Sequence, residues 1–288
     1  MKADLFEPER DGNEHGNGSD VARRVEAYHD EMAQEIFEAT RDSALWRVAR
    51  QVAFDNFMRF LPSQAVKRRA FVAGQGAWWF ARQLAEEGWS VTLGEISAKL
   101  IELYREELST FEQGKRVQLV KLDICEMPRV ESGAFSAVLL MGGALSECGR
   151  AAQAMAEGAR IATAGALVTV SARNKYAAYT PGASRRHLAE LSALLNEGVR
   201  GWVKGYRPKL FSAEELIGML KYNKVDVVRA VSYPHFFCPS VEEQSATVED
   251  SVLSDYLELE RRYAGVPSLL GRGPILDVIG RKVGTCEG

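Results

Sequence analysis

The sequence lacks most of what would place a chain in a membrane, in an oxidising compartment or on nucleic acid. It contains no run of the roughly 18 apolar residues that a membrane span requires. Its first twenty residues, MKADLFEPERDGNEHGNGSD, have no apolar stretch of the signal-peptide kind, which argues against secretion. The four cysteines, Cys125, Cys148, Cys238 and Cys286, are widely spaced, with no CxxC pair and no Cys/His spacing of a zinc site. They read as reduced thiols of a cytoplasmic protein. Basic blocks are missing too: 36 Lys and Arg are scattered among 39 Asp and Glu, for a net charge of -3, so nucleic acid is a disfavoured partner. The chain is expected to work away from membranes, as a monomer or homodimer.

A length of 288 residues with 46% hydrophobic and 26% charged residues suits one large globular unit. Residues 1–19 are too polar to offset the entropy of ordering and are expected to be a disordered tail. Over 20–62 the apolar positions Val25, Met32, Ile36, Phe37, Leu45, Val48, Val52, Phe57 and Leu61 recur at helical spacing, which predicts two or three amphipathic helices forming a lid. The main domain is expected over 63–284, with capping insertions around 173–210 and 235–265.

From Arg69 onward, strand and helix patterns alternate, the signature of a parallel sheet covered on both faces. Predicted strands are Ala70–Ala73, Trp89–Leu93, Val117–Leu122, Phe135–Met141, Ala166–Ser171, Val225–Val231 and Ile275–Gly280. Predicted helices are Ala77–Glu87, Ser97–Phe111, Glu147–Ile161, Arg185–Leu195, one from Ser212 to about Tyr222, and roughly Val241–Tyr263. Ser97 reads as an N-cap, and Ser212 with Glu215 as a capping box.

Three features point to a nucleoside. Gly74-Gln75-Gly76 lies between a strand and a helix, where a missing β-carbon lets a ligand approach the backbone. Glu95 ends the second strand, at the place where paired ribose hydroxyls need an acceptor, and Asp123 ends the third. The series AGQGAWW, VTLGEIS, LVKLDICEMP, AFSAVLLMGGALSE, GALVTVSARN and FSAEELIGML resembles the class I S-adenosylmethionine (SAM)-dependent methyltransferases that act on small molecules. The resemblance covers roughly Arg69 to Lys282. It implies an α/β, Rossmann-like fold with a mostly parallel seven-stranded sheet, helices on both faces and an N-terminal helical lid, and SAM as cosubstrate or substrate of a transferase. It also implies roles. Gly74 and Gly76 would line the methionine and ribose part, Glu95 with Ile96 the ribose, and Asp123 the adenine amino group with Ile124 against the ring. Met141 and Gly142 would lie beneath the cofactor.

The sequence departs from that family pattern at two places. Val72 stands where the family carries an acidic residue on its first strand, and Trp78 where its third glycine lies. A lost partner for the cofactor's ammonium group costs about 1 to 3 kcal/mol unless something replaces it. Three readings stay open: methyl transfer with a substitute partner; reaction at the aminobutyrate arm with release of methylthioadenosine, as in the azetidine-2-carboxylate synthases or in aminocarboxypropyl transfer; and a non-catalytic SAM-binding protein. A dinucleotide enzyme fits the spacing from Gly74 to Glu95 but leaves Asp123 unexplained and puts bulky Trp78 against a pyrophosphate.

Transfer from a sulfonium depends mainly on positioning, and aromatic faces stabilise the cation. Trp78, Trp79, Tyr28, Tyr176 and Tyr206 are the aromatic candidates, with at least one ring of the Trp78–Trp79 pair expected to face the pocket. Asn174 and Tyr176, just past the fifth strand, are the leading substrate-side candidates, and Tyr28 beside His29 is the candidate from the lid. Ser146, Glu147, His187, Arg207 and His235 complete the residues expected near the site.

Overall fold

The structure is a computed structural model in which residues 18–61, 67–178, 185–198, 208–237 and 248–284 are described. Tyr206, Arg207, Cys238, Cys286, the tail before Gly18 and the side chain of His187 lie outside the described residues. Helices α1 (Gly18–Glu31), α2 (Ala33–Asp42) and α3 (Ala44–Met58) lead into the alternating part. There follow β1 (Arg69–Gly74), α4 (Ala77–Glu86), β2 (Ser90–Glu95), α5 (Ala98–Ser109), β3 (Val117–Lys121), β4 (Phe135–Met141), α6 (Ala144–Glu147), α7 (Ala151–Ile161) and β5 (Ala162–Arg173). Then come α8 (Arg185–Glu197), α9 (Ala213–Tyr222), β6 (Val225–Tyr233), α10 (Asp250–Tyr263) and β7 (Ile275–Lys282).

The seven strands form one sheet in the order β3-β2-β1-β4-β5-β7-β6. All pairings are parallel except those of β7, which runs antiparallel to β5 and β6. Ala70 to Ala73 of β1 are all buried, as expected for a central strand covered on both faces. Alternation along that strand divides the core in two. Ala70 and Val72 join α2, α3, α4, α5 and α10 in one apolar cluster, while Phe71 and Ala73 join residues of α7 and α9 in the other. The chain leaves β1 toward β2 and β3 on one side and returns to β4 on the other. Order therefore reverses between β1 and β4, and a crevice must open at their C-terminal ends.

The capping box at Ser212 and Glu215 forms as predicted, and Ser97 caps α5 by accepting from the Leu100 amide at 3.1 Å. The helix expected over Glu147–Ile161 instead begins at Ala151 as α7, behind a short α6 that ends at Glu147, because Gly149 takes φ +71° and separates the two. A β-carbon there would sit 2.2 Å from Cγ1 of Val21, so α1 packs directly on this break.

One buried polar group stands out in the sheet. Asp277 of β7 is 1% exposed, and its Oδ2 accepts from the Tyr233 hydroxyl of β6 at 2.5 Å. Burial outweighs the hydrogen bonds of Tyr233 and Ser171 and raises the carboxyl to about 7, from 3.8 in a solvated chain. The unfolded chain therefore gives up this proton first. Stability falls as pH rises from about 4 to about 7 and is then level, a loss on the order of 4 kcal/mol from this group. Chemical denaturation at pH 5 and pH 8 should show that Asp277→Asn loses less stability over this interval than the parent; parallel losses would refute the assignment.

Candidate functional site

The crevice is built by two turns that fit into one another. Gly74, at φ +106°, ends β1, and a β-carbon on it would lie 2.1 Å from the Met141 carbonyl oxygen. Gly142, at φ +63°, follows β4, and its β-carbon would lie 2.1 Å from the Gln75 carbonyl oxygen. Each glycine thus admits the backbone of the other turn, at a conformation that residues with a side chain rarely adopt. The glycines were expected to make room for a ligand, but at Gly74 and Gly142 the space is taken by protein. Gly74 still forms the cavity wall, together with Gln75.

That cavity is lined by Gly74 and Gln75 at the end of β1, Gly94, Glu95 and Ile96 at the end of β2, and Leu122, Asp123 and Ile124 just past β3. Ala144, Glu147 and Cys148 close it from the β4 side, and Val25, His29 and Ile36 cover it from α1 and α2. The cover is fastened at its rim. Asp30 accepts from the Ser97 hydroxyl and the Lys99 amide at the start of α5, and Glu26 pairs with Lys121 at 2.6 Å.

Glu95 is 7% exposed, and its Oε1 accepts from the amides of Ile96 at 2.8 Å and Ser97 at 3.0 Å. Burial raises its pKa, opposed by those two amides and by His29. Two amide donors fix the carboxylate at the cavity wall, in a position to accept from a pair of hydroxyls. Asp123 is more heavily engaged than a free acceptor. Its Oδ1 accepts from the Cys125 amide at 2.8 Å and its Oδ2 from Nη2 of Arg150 at 2.7 Å. A ligand amino group would share these oxygens, each of which has a second lone pair. Arg150 Nε is buried beside this pair without a hydrogen-bond partner.

Gly74, Glu95, Ile96, Asp123, Ile124 and Glu147 are thus brought together as expected, and the other described candidates are not. Gly76, at φ +73°, starts α4 and is roofed by Thr40 and Trp46, whose atoms would lie 3.5 and 3.7 Å from a β-carbon there. Trp78 turns into the core, where it packs on Phe37 at 5.7 Å and its Nε1 donates to Thr40 Oγ1 at 3.3 Å. Trp79 lies edge-on to Phe54 and beneath the Arg50 guanidinium. Neither ring faces the cavity, because α2 and α3 dock on α4 and claim both. Met141 is wholly buried in the core and Gly142 is consumed by the dovetailed turns. Tyr28 packs edge-on to His29 and against the core, and it is His29 that reaches the cavity.

Asn174 and Tyr176 are also displaced from the site. Asn174 is 1% exposed and donates through Nδ2 to the carbonyls of Leu270 at 2.8 Å and Gly273 at 2.7 Å, while its Oδ1 accepts from the Tyr176 amide. It latches the segment before β7 to the end of β5. The Tyr176 ring is half exposed beside Gly271. His235 is likewise structural. Its ring bonds to Ser232, and Glu260, wholly buried, accepts from the backbone amides of His235, Phe236 and Phe237. Ser146 accepts from the Arg173 amide at 2.8 Å, and Glu147 pairs with Arg173 Nε at 2.6 Å while lining the cavity.

Residues 72–170, from within β1 to within β5, match the family model described as a methyltransferase domain. This part of the chain is similar to a methyltransferase domain. The domain type is that of SAM-dependent transferases. No curated protein matches the sequence. Among solved structures, the [4+2]-cyclase SpnF is 16% identical, with a TM-score of 0.57 over 91% of this chain and 96% of its own. A SAM-dependent methyltransferase from Thermotoga maritima is also 16% identical, with a TM-score of 0.55 over 90% of this chain and 99% of its own. Geranyl diphosphate C-methyltransferase from Streptomyces coelicolor, solved with geranyl diphosphate and S-adenosyl-L-homocysteine, is 13% identical, with a TM-score of 0.52 over 82% and 79%. These likenesses establish the Rossmann-like methyltransferase fold. No helix among the described residues is long and apolar enough to cross a membrane.

If Asn174 is a latch, Asn174→Ala leaves buried carbonyls unpaired and should lower stability by roughly 2 to 4 kcal/mol. Thermal unfolding of the variant checks this. An unchanged melting temperature would return Asn174 to the list of reacting groups.

Proposed function

We propose that this chain is a SAM-dependent enzyme that transfers a methyl group to a small-molecule acceptor. The observation that supports this reading is the order of groups around one cavity at the switch point of the sheet: Gly74 at the end of β1, Glu95 at the end of β2, and Asp123 with Ile124 just past β3. In this reading Glu95 accepts from the ribose hydroxyls, Asp123 shares its oxygens with the adenine amino group, and Ile96 and Ile124 supply apolar contact to the nucleoside. Gly74 and Gln75 flank the methionyl end.

SAM brings the activated methyl group, so the protein's share of the rate is orientation and exclusion of water. Val25, His29 and Ile36 cover the cavity and serve the second task. The acceptor would enter on the β4 side, against Ala144 and Cys148.

A second reading, reaction at the aminobutyrate arm with release of methylthioadenosine, is favoured by Val72, which puts an apolar side chain where the resembling family has a carboxylate. The fold leaves this open, since the same architecture serves a [4+2]-cyclase. A SAM-binding protein without catalysis is the third reading.

Incubation of the purified chain with SAM alone, with methylthioadenosine measured by mass spectrometry against a heat-killed control, separates these chemistries. Methyl transfer requires that it stay at the level of spontaneous decay until an acceptor is supplied; acceptor-free turnover would instead establish chemistry at the arm. Asp123→Ala should weaken adenosine-ligand binding about tenfold or more, read by calorimetric titration, and an unchanged affinity would remove the adenine assignment.

A further inference from the structure

We infer that Glu147 supplies the carboxylate that the first strand lacks, and that it binds the α-ammonium group of the aminobutyrate arm. The inference rests on the reading of the cavity as a SAM site. At the usual position the chain has Val72, wholly buried in the apolar cluster beneath α4 and turned away from the cavity. The α-ammonium is a strong donor, and an unpaired charge in a covered cavity is costly.

The sheet order gives each part of the ligand an address. Asp123 and Ile124 lie just past β3, Glu95 and Ile96 at the end of β2, Gly74 and Gln75 at the end of β1, and Glu147 beyond β4. With strands about 4.8 Å apart, β3 to β4 spans roughly 14 Å. A nucleoside whose base lies at β3 and whose ribose lies at β2 therefore extends its arm across β1 toward β4. Of the three carboxylates that the described residues bring to the cavity wall, Glu95 and Asp123 lie on the nucleoside side of β1 and Glu147 on the other.

Local geometry aims it there. The turns after β1 and β4 touch backbone to backbone, and the Ala144 β-carbon would lie 2.9 Å from a β-carbon on Gly74. Glu147 is three residues beyond Ala144, hence on the same face of α6, and both line the cavity. The break at Gly149 ends the helix there and keeps Glu147 and Cys148 at the wall. Glu147 is 8% exposed, and Arg173 Nε holds its Oε1 at 2.6 Å, which fixes the orientation of the carboxylate. A carboxylate has about four lone-pair sites, so this bond is compatible with accepting from an ammonium group.

The test is calorimetric titration of the full chain with three ligands: S-adenosylhomocysteine, the same compound without its α-amino group, and methylthioadenosine, which has no arm. The wild-type chain should prefer the amine over its deaminated analogue by about tenfold or more, the worth of one charge-assisted hydrogen bond. Glu147→Gln should cut that preference to about threefold or less and leave methylthioadenosine affinity within about twofold. Arg173→Gln, which breaks the same ion pair but keeps the carboxylate, should retain the preference. The inference fails if the preference survives in Glu147→Gln, or if both variants lose affinity for all three ligands alike, since the pair is then only structural. A wild-type chain that binds methylthioadenosine but ignores the amine overturns the role of Glu147 and leaves the SAM reading standing. One that binds none of the three overturns both.

Discussion

The site depends on the contact between two backbone turns. Gly74 admits the Met141 carbonyl and Gly142 admits the Gln75 carbonyl, each at 2.1 Å from where a β-carbon would be. This reciprocal fit fixes the spacing of β1 and β4 at the point where strand order reverses. Everything that lines the cavity is placed relative to that joint: the carboxylates of β2 and β3 on one side, α6 on the other, and α1 and α2 above.

Polar groups around the joint divide into two kinds. Asn174 and Glu260 are saturated by backbone partners and serve as fasteners, the first binding the segment before β7 and the second the turn after β6. Glu95, Asp123 and Glu147 are anchored by one or two donors and still face the cavity. A buried polar side chain with every bond made within the protein has little left to offer a ligand. This distinction removes Asn174 from the reacting set and retains Glu147.

The sheet was legible because its strands are short apolar runs bounded by glycine and acidic residues, and Glu95 and Asp123 could be placed on the cavity wall because they stand at or just past strand ends. Side-chain direction was harder. Trp78 and Trp79 sit where a pocket-facing ring is expected, yet their directions are set by α2 and α3, whose docking leaves no local trace in the sequence. Asn174 is spoken for by carbonyls 96 and 99 residues away. The break between α6 and α7 was missed because the stretch is rich in helix-forming alanine, and only the pressure of Val21 on Gly149 shows why glycine is required there. His29 had a signal, its place beside Tyr28 on an amphipathic helix, but which of the two faces inward depends on helix rotation.

That same contact between Val21 and Gly149 bears on the modularity of the chain. Helix α1 covers the cavity with Val25 and His29, and at Val21 it also abuts the break that leaves Glu147 and Cys148 on the opposite wall. Helices α2 and α3 contribute Phe37, Val52 and Phe57 to the core shared with the sheet. The N-terminal helices are therefore not an appendage that could be exchanged between relatives to alter specificity while the sheet is kept. The transplantable unit begins at α1, and a chimera joined just before β1 would inherit a cavity with one wall unsupported.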